Sequence, residues 1–274
     1  NILVANDDGI RARGLTELVR ALSGEASVYV CAPDGQRSAS GHGITVSKYI
    51  TVKEEQVEGA EYALSTSGTP ADCVKLGMKI LSEKGVKIDM LFSGINHGGN
   101  LGTDVLYSGT VAAAMEGSIC GVPSVAVSVD NHDASHFDCA AHLAVEALRK
   151  GHGNLSPGIV LNINTPDLPE NEIKGLRFTT LGNREYKEFF APVDMGDGTK
   201  GYRYNGEPVV YEGLPGSIDV IAIQDGYASI TPIRIGINDT NTPGRARIQI
   251  PMTTHTTAGS IRTDRPSISR IRIP

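Results

Sequence analysis

An α/β fold with a doubly wound, mostly parallel sheet is what the sequence predicts, on three observations. Ile2 to Ala5 is an apolar run that fits a strand buried on both faces, as in parallel sheets covered by helices. Strand-like and helix-like segments alternate from there to Ile163. Polar, glycine-rich stretches follow several of the strands, at the edge of the sheet where such folds build their ligand crevice.

The elements follow in order. Arg11 to Ser23 places Leu15, Leu18, Val19 and Leu22 at helical spacing, and Gly24 stops the helix. Ser27 to Ala32 is the second strand, which completes a βαβ unit. Ile44 to Val52 alternates weakly and is read as a hairpin strand, and Tyr62 to Thr66 as another. Thr69-Pro70-Ala71-Asp72 opens a helix, with Thr as cap, Pro at the first position and Asp three residues after the cap. Ile88 to Phe92 is the next buried strand, followed by seventeen residues, Ser93 to Gly109, five of them Gly. A loop of that length in a compact domain marks function. A helix runs from Thr110 to Ile119, a strand over Pro123 to Val129, a helix over Phe137 to Lys150 and a strand over Ile159 to Ile163.

The result is a Rossmann-like core over residues 1–176 with a β extension over residues 177–233. Residues 184–211 hold six of the chain's 14 aromatics, and Met195 to Thr199 reads as a hairpin turn. An arm so rich in aromatics packs against something, a second subunit or its own sheet. Ser217 to Gln224 and Tyr227 to Pro232 read as a closing antiparallel pair. Residues 234–274 form a basic tail, with seven Arg against two acidic residues, to which no fold is assigned.

Charge narrows the function. The net −6 hides an acidic body, with 18 basic against 29 acidic residues before Arg234. That balance argues against nucleic-acid binding but leaves small phosphate compounds, since a metal ion can supply local positive charge. No apolar run reaches membrane-spanning length and no signal-peptide pattern is seen, so a cytoplasmic protein without a membrane partner is expected. Cys31, Cys73, Cys120 and Cys139 show no Cys-x-x-Cys spacing and are expected to be reduced thiols.

Asp7 and Asp8 end the first strand. Adjacent carboxylates repel, so they mark either a cation site or a solvated Asp-Gly turn. The polar stretches Asn6 to Gly9, Gln36 to His42 and Gly94 to Ser108 share one edge and carry Asp7, Asp8, Ser38, Ser40, Asn96 and Asn100. These oxygens suit Mg²⁺ or Mn²⁺, while His42 and His97 leave a mixed nitrogen and oxygen site open. Ser108-Gly109-Thr110 at a helix start is either an anion cradle or a simple N-cap. No glycine fingerprint for a dinucleotide is present.

Five motifs, Asn6-Asp7-Asp8-Gly9, Ala32-Pro33-Asp34 through Arg37-Ser38-Ala39 to Gly41-His42, Gly68-Thr69-Pro70-Ala71-Asp72, Ser93-Gly94-Ile95-Asn96 with Asn100, and Ser108-Gly109-Thr110, stand in one order. In order and spacing, over roughly Ile2 to Pro232, the chain resembles the SurE survival-protein family of metal-dependent 5′/3′-nucleotidases. The resemblance implies one divalent ion held by Asp7, Asp8, Ser38 and Asn96, and phosphate gripped by Asn100, Ser108, Gly109 and Thr110. It also implies a homodimer linked by the arm, able to pair into a tetramer. The tail after Ile233 does not match the family's usual helical ending. On this reading Asp7 or Asp8 takes the proton of the attacking water, His42 is a candidate acid for the leaving oxygen, and short polyphosphate is an open side substrate. Three rivals stand beside it. One is a phosphatase with Asp7 as nucleophile, another is a nucleotide-binding or sensing protein without turnover, and the third gives the basic tail an adhesive or structural role.

Overall fold

The computed structural model describes residues 1–236 except 188, 189, 205, 210 and 212, and of residue 207 the backbone alone. The first strand, β1 (Ile2–Ala5), is fully buried, and its side chains alternate between two cores. Ile2 and Val4 face one core, Leu3 and Ala5 the other. A strand can bury both faces only with helices on each side of the sheet, and the chain provides them. Helix α1 (Arg13–Ser23) packs with α4 (Asp138–Gly151) over one face. Helices α2 (Pro70–Glu83) and α3 (Gly109–Ile119) pack together over the other.

The sheet also holds β2 (Val28–Pro33), β3 (Val52–Glu55), β4 (Tyr62–Thr66), β5 (Met90–His97), β6 (Ser124–Val129), β7 (Ile159–Thr165) and β8 (Leu176–Phe178). Beyond them come β9 (Tyr186–Lys187), β10 (Phe190–Asp194), β11 (Lys200–Tyr204), β12 (Glu207–Pro208), α5 (Asp219–Gln224) and β13 (Ala228–Arg234). The nine-stranded order is β3-β4-β2-β1-β5-β6-β7-β13-β8. The run from β4 to β7 is parallel; β3 and β13 join antiparallel to β4 and β7. The doubly wound α/β reading therefore holds, as does the hairpin, in which β10 and β11 pair around the turn at Met195 to Thr199.

From β1 the chain winds outward to β2 and β4, then returns to place β5 on β1's other side, with Ala5 opposite Ser93. The winding direction reverses between β1 and β5. Ligand crevices in open α/β sheets form at such reversals, outside the carboxyl ends of the strands. Asp7 and Asp8 follow β1, and Asn96 lies in the last turn of pleat of β5.

Four expectations need correction. Residues 44–51 form no strand; β3 begins only at Val52, because little but solvent faces Ile44, Val46 and Tyr49, which are exposed. The segment after Phe92 is not all loop. Strand β5 continues to His97 across a register shift between Ser93 and Asn96 that includes a cis Gly94–Ile95 peptide, and a 3-10 turn follows over Gly102–Leu106. Asp219 to Gln224 is helix α5 rather than a strand. A short apolar run such as Val220 to Ile223 fits a buried helix turn as well as a strand, and periodicity alone does not separate them. Hence β13 pairs with β7 and β8, not with a strand before it. The basic tail lies outside the described residues from 237 on.

The helix starts are as the sequence reads. Thr69 Oγ1 accepts from Asp72 N at 3.1 Å while the Asp72 carboxylate accepts from Thr69 N at 3.0 Å, a reciprocal capping box. The same carboxylate accepts from Thr45 N at 3.1 Å, so the cap also holds the exposed loop beside it.

Helix α1 comes so close to β5 that a Cβ on Gly14 would lie 1.9 Å from the Ile95 carbonyl oxygen. No rotamer relieves a clash with backbone. Gly14→Ala is therefore expected to cost about 2 kcal/mol, as overpacked cores do, read as a lower urea midpoint at unchanged slope.

Candidate active site

Asn6 shapes the turn that presents the acidic pair. Its side chain accepts from Gly9 N at 3.2 Å and donates to Gly9 O at 2.9 Å. Gly9 sits at φ +101°, a conformation that side-chain-bearing residues rarely take, and a Cβ there would press within 3.1 Å of the Gly35 backbone. Asp7 is thereby turned inward and Asp8 left half-buried.

Asp7 is 5% exposed. Its Oδ1 accepts a hydrogen bond from the Thr110 hydroxyl in the first turn of α3. Burial, with a smaller push from Asp8, outweighs that bond and raises its pKa from 3.8 to about 6. A carboxylate placed so that ionising is costly, beside a second carboxylate, would be eased by a cation next to it. Asp8 Oδ2 accepts from His97 N at 3.2 Å, which ties the turn after β1 to the end of β5. The Asp7 carbonyl accepts from Arg37 N at 2.7 Å, which draws in the loop carrying Ser38 and His42.

The motif glycine and the Thr110 hydroxyl at α3 serve Asp7 as much as any ligand. A Cβ on Gly109 would fall 2.7 Å from Asp7 Cβ, 2.9 Å from its Oδ2 and 3.0 Å from Pro70. Only glycine lets this helix start stand directly against the carboxylate. Ser108 caps α3, its Oγ accepting from Val111 N at 3.0 Å, and among the described residues its hydroxyl proton is donated to none. The cradle and the N-cap are thus the same residue.

Asn96 donates through Nδ2 to Gly98 O at 2.7 Å, and among the described residues nothing donates to its Oδ1. Ser38 is exposed on its loop. The prospective ligand set is then two carboxylates, an amide oxygen and a hydroxyl. Among the described residues no group of three or more His, Cys, Asp or Glu is gathered as a metal site. Hard oxygen donors in this proportion fit Mg²⁺ or Mn²⁺.

Asn100 is held from several sides. Its N–H donates to Asn164 Oδ1 at 2.8 Å, and its carbonyl accepts from Asn162 Nδ2 at 2.8 Å and Asn164 Nδ2 at 3.2 Å. Its own Nδ2 donates to Ser128 Oγ at 2.8 Å. Asn162, Asn164 and Ser128 escaped the sequence reading. Their signal was present: Asn-Ile-Asn inside an apolar strand puts two polar side chains on one face, where each needs a buried partner.

His42 is engaged elsewhere than on Asp7 or Asp8. Its Nε2 lies 2.8 Å from Glu116 Oε2, and Lys75 Nζ donates to Glu116 Oε1 at 2.8 Å. Burial pushes the Glu116 carboxyl up, but Lys75 and His42 outweigh it and hold it below its ordinary value. His97, the other histidine of these loops, has its ring 5.1 Å from that of Phe137, at the start of α4.

Comparison with known proteins adds the following. Residues 2–188 match the family model described as "Survival protein SurE". The chain is 44% identical over 240 residues to the 5′-nucleotidase SurE of Syntrophomonas wolfei, covering 87% of this chain and 90% of that one. It is 42% identical over 252 residues to the 5′-nucleotidase SurE of Synechococcus elongatus, covering 88% and 95%. The crystal structure of the SurE protein from Aquifex aeolicus aligns at TM-score 0.74 and 36% identity over 87% of this chain and 94% of that one.

Proposed function

Since the chain belongs to the SurE survival-protein family, we propose that it is a divalent-metal-dependent phosphomonoesterase that hydrolyses nucleoside 5′- and 3′-monophosphates to nucleoside and phosphate, with short polyphosphate as a side substrate. The observation that carries this reading is the seating of the Asp7 carboxylate against Gly109 and Thr110. A cation at the acidic pair and an anion at the helix start would be immediate neighbours, which is the arrangement a phosphate ester bound at both needs.

Asp7, Asp8, Ser38 and Asn96 would hold the ion, which supplies polarisation of a phosphoryl oxygen and a more acidic water. The chain's own residues do the rest. The N–H groups at Gly109 and Thr110 and the Ser108 hydroxyl face the phosphate and offset charge spreading over its oxygens. Thr110 keeps Asp7 in a single orientation, and either Asp7 or Asp8 takes the water's proton. Asn100 reaches the phosphate by exchanging its bond to Ser128, while Asn162 and Asn164 keep its backbone in place. With Nε2 occupied by Glu116, His42 has Nδ1 to offer the leaving oxygen.

The arm over residues 184–211 is the proposed contact for a homodimer that pairs further into a tetramer. Support comes from Phe190, Tyr202 and Tyr204, large aromatic side chains exposed on β10 and β11. The four free thiols accord with a cytoplasmic location. Among the described residues no helix is long and apolar enough to cross a membrane.

The test is phosphate release from AMP, GMP and 3′-AMP. Turnover is expected with Mg²⁺ or Mn²⁺ and none after chelation. Tight nucleotide binding without phosphate release would replace this reading with that of a sensor.

A further inference from the structure

Two large apolar side chains stand bare beside the phosphate cradle. Leu106 is 70% exposed and Tyr107 66% exposed, and Tyr107 directly precedes Ser108, the cap of α3. A tyrosine that packs within a fold usually finds a partner for its hydroxyl; among the described residues the Tyr107 hydroxyl has none. The backbone beneath the ring is nevertheless fixed. Tyr107 N donates to Asp104 O at 3.0 Å, and Tyr107 O accepts from Gly41 N at 3.1 Å, which joins this segment to the loop of Ser38 and His42. In that facing loop Ser40 Oγ is shielded and has no hydrogen-bond partner among the described residues.

We propose that Tyr107, with Leu106 beside it, is the platform on which the substrate's nucleobase stacks, so that the site selects nucleotides over phosphate esters that lack a base. The proposal rests on the phosphomonoesterase reading above. Adjacent Cα atoms are about 3.8 Å apart, so a phosphate at Ser108 to Thr110 leaves the body of its ester within reach of this ring. Every base has a π face, and a ring carried on fixed backbone and left open to solvent captures it without reading its hydrogen-bonding edge. The site is thereby tolerant of base identity while demanding that a base be present. An unpaired hydroxyl at Ser40 is a partner suited to the ribose between them.

The experiment measures kcat and KM with the full chain and Mn²⁺ on AMP, GMP and ribose 5-phosphate. Tyr107→Ala is expected to raise KM for AMP and GMP about tenfold, in keeping with the loss of one base–aromatic stack, with kcat unchanged. Ribose 5-phosphate kinetics should stay as in the parent, and Tyr107→Phe should retain the parent's KM for AMP. Equal losses on all three substrates, or no change on any, would overturn the platform while leaving phosphatase activity intact. A parent protein that releases phosphate from none of the three overturns the reading beneath it as well.

Discussion

Replacing Asp8 by Asn is expected to lower kcat/KM for nucleoside monophosphates by about a thousandfold while the melting temperature barely moves. The carboxylate's work in the fold is small: it accepts from His97 N at 3.2 Å and stands 3.5 Å from Gln36 Nε2. An Asn oxygen can keep the first of these bonds. What it cannot keep is the charge that offsets a divalent ion, and interactions of that kind carry several kcal/mol of transition-state stabilisation. Removing one of two neighbouring carboxylates also relieves their repulsion, so stability is not lowered. Phosphate release and a thermal melt on the same preparation decide it, and a variant that remains active takes the carboxylate pair out of the chemistry.

The second large effect is on stability, and its sign is unusual for an aspartate. In chelated protein the Asp7 pKa is about 6 against an ordinary 3.8, raised chiefly by burial. The folded state then holds its proton more tightly than the unfolded chain does. Between pH about 4 and about 6 the unfolded chain loses that proton first, so stability falls as pH rises and the loss is complete above about 6. Linkage puts the loss at roughly 3 kcal/mol. Denaturant titrations in chelator should show this decline in the parent and lack it in Asp7→Asn. On the proposed metal site, added Mn²⁺ would bind the ionised carboxylate and should reverse it above pH 6. A parent whose stability is flat across that range would mean that Asp7 ionises without cost.

Much of this was legible in residue order because the physics behind it is local. Ile2 to Ala5 reads as a strand from its own apolar run, and Thr69-Pro70-Ala71-Asp72 announces a helix start that the capping box reproduces. The gathering of Asp7 and Asp8 with the end of β5 follows from strand order, once the alternation of elements is granted. What escaped depends on partners distant in sequence. Thr110 hydrogen-bonds Asp7 across 103 residues, and Asn100 is held by Asn164 across 64. Glu116, inside the helix read over Thr110 to Ile119, joins His42 across 74. Helix α5 escaped for a different reason, since six residues are too few for any period to show.

The root of the arm has a practical bearing. Arg184 donates to the Gly99 carbonyl at 3.3 Å and to Asp130 at 3.3 Å, and Tyr186 hydrogen-bonds Asp104. Asp219 in α5 accepts from Gly102 N and Gly182 N, both at 2.8 Å. The first residues of the projecting limb are therefore fastened to the stretch that carries Asn100 and Tyr107. Excising the whole limb would loosen the catalytic pocket's wall along with any contact between subunits, and the two losses would be indistinguishable. A shortened version that keeps residues 182–187 and removes only the hairpin beyond them separates how the molecule assembles from how it turns over its substrate.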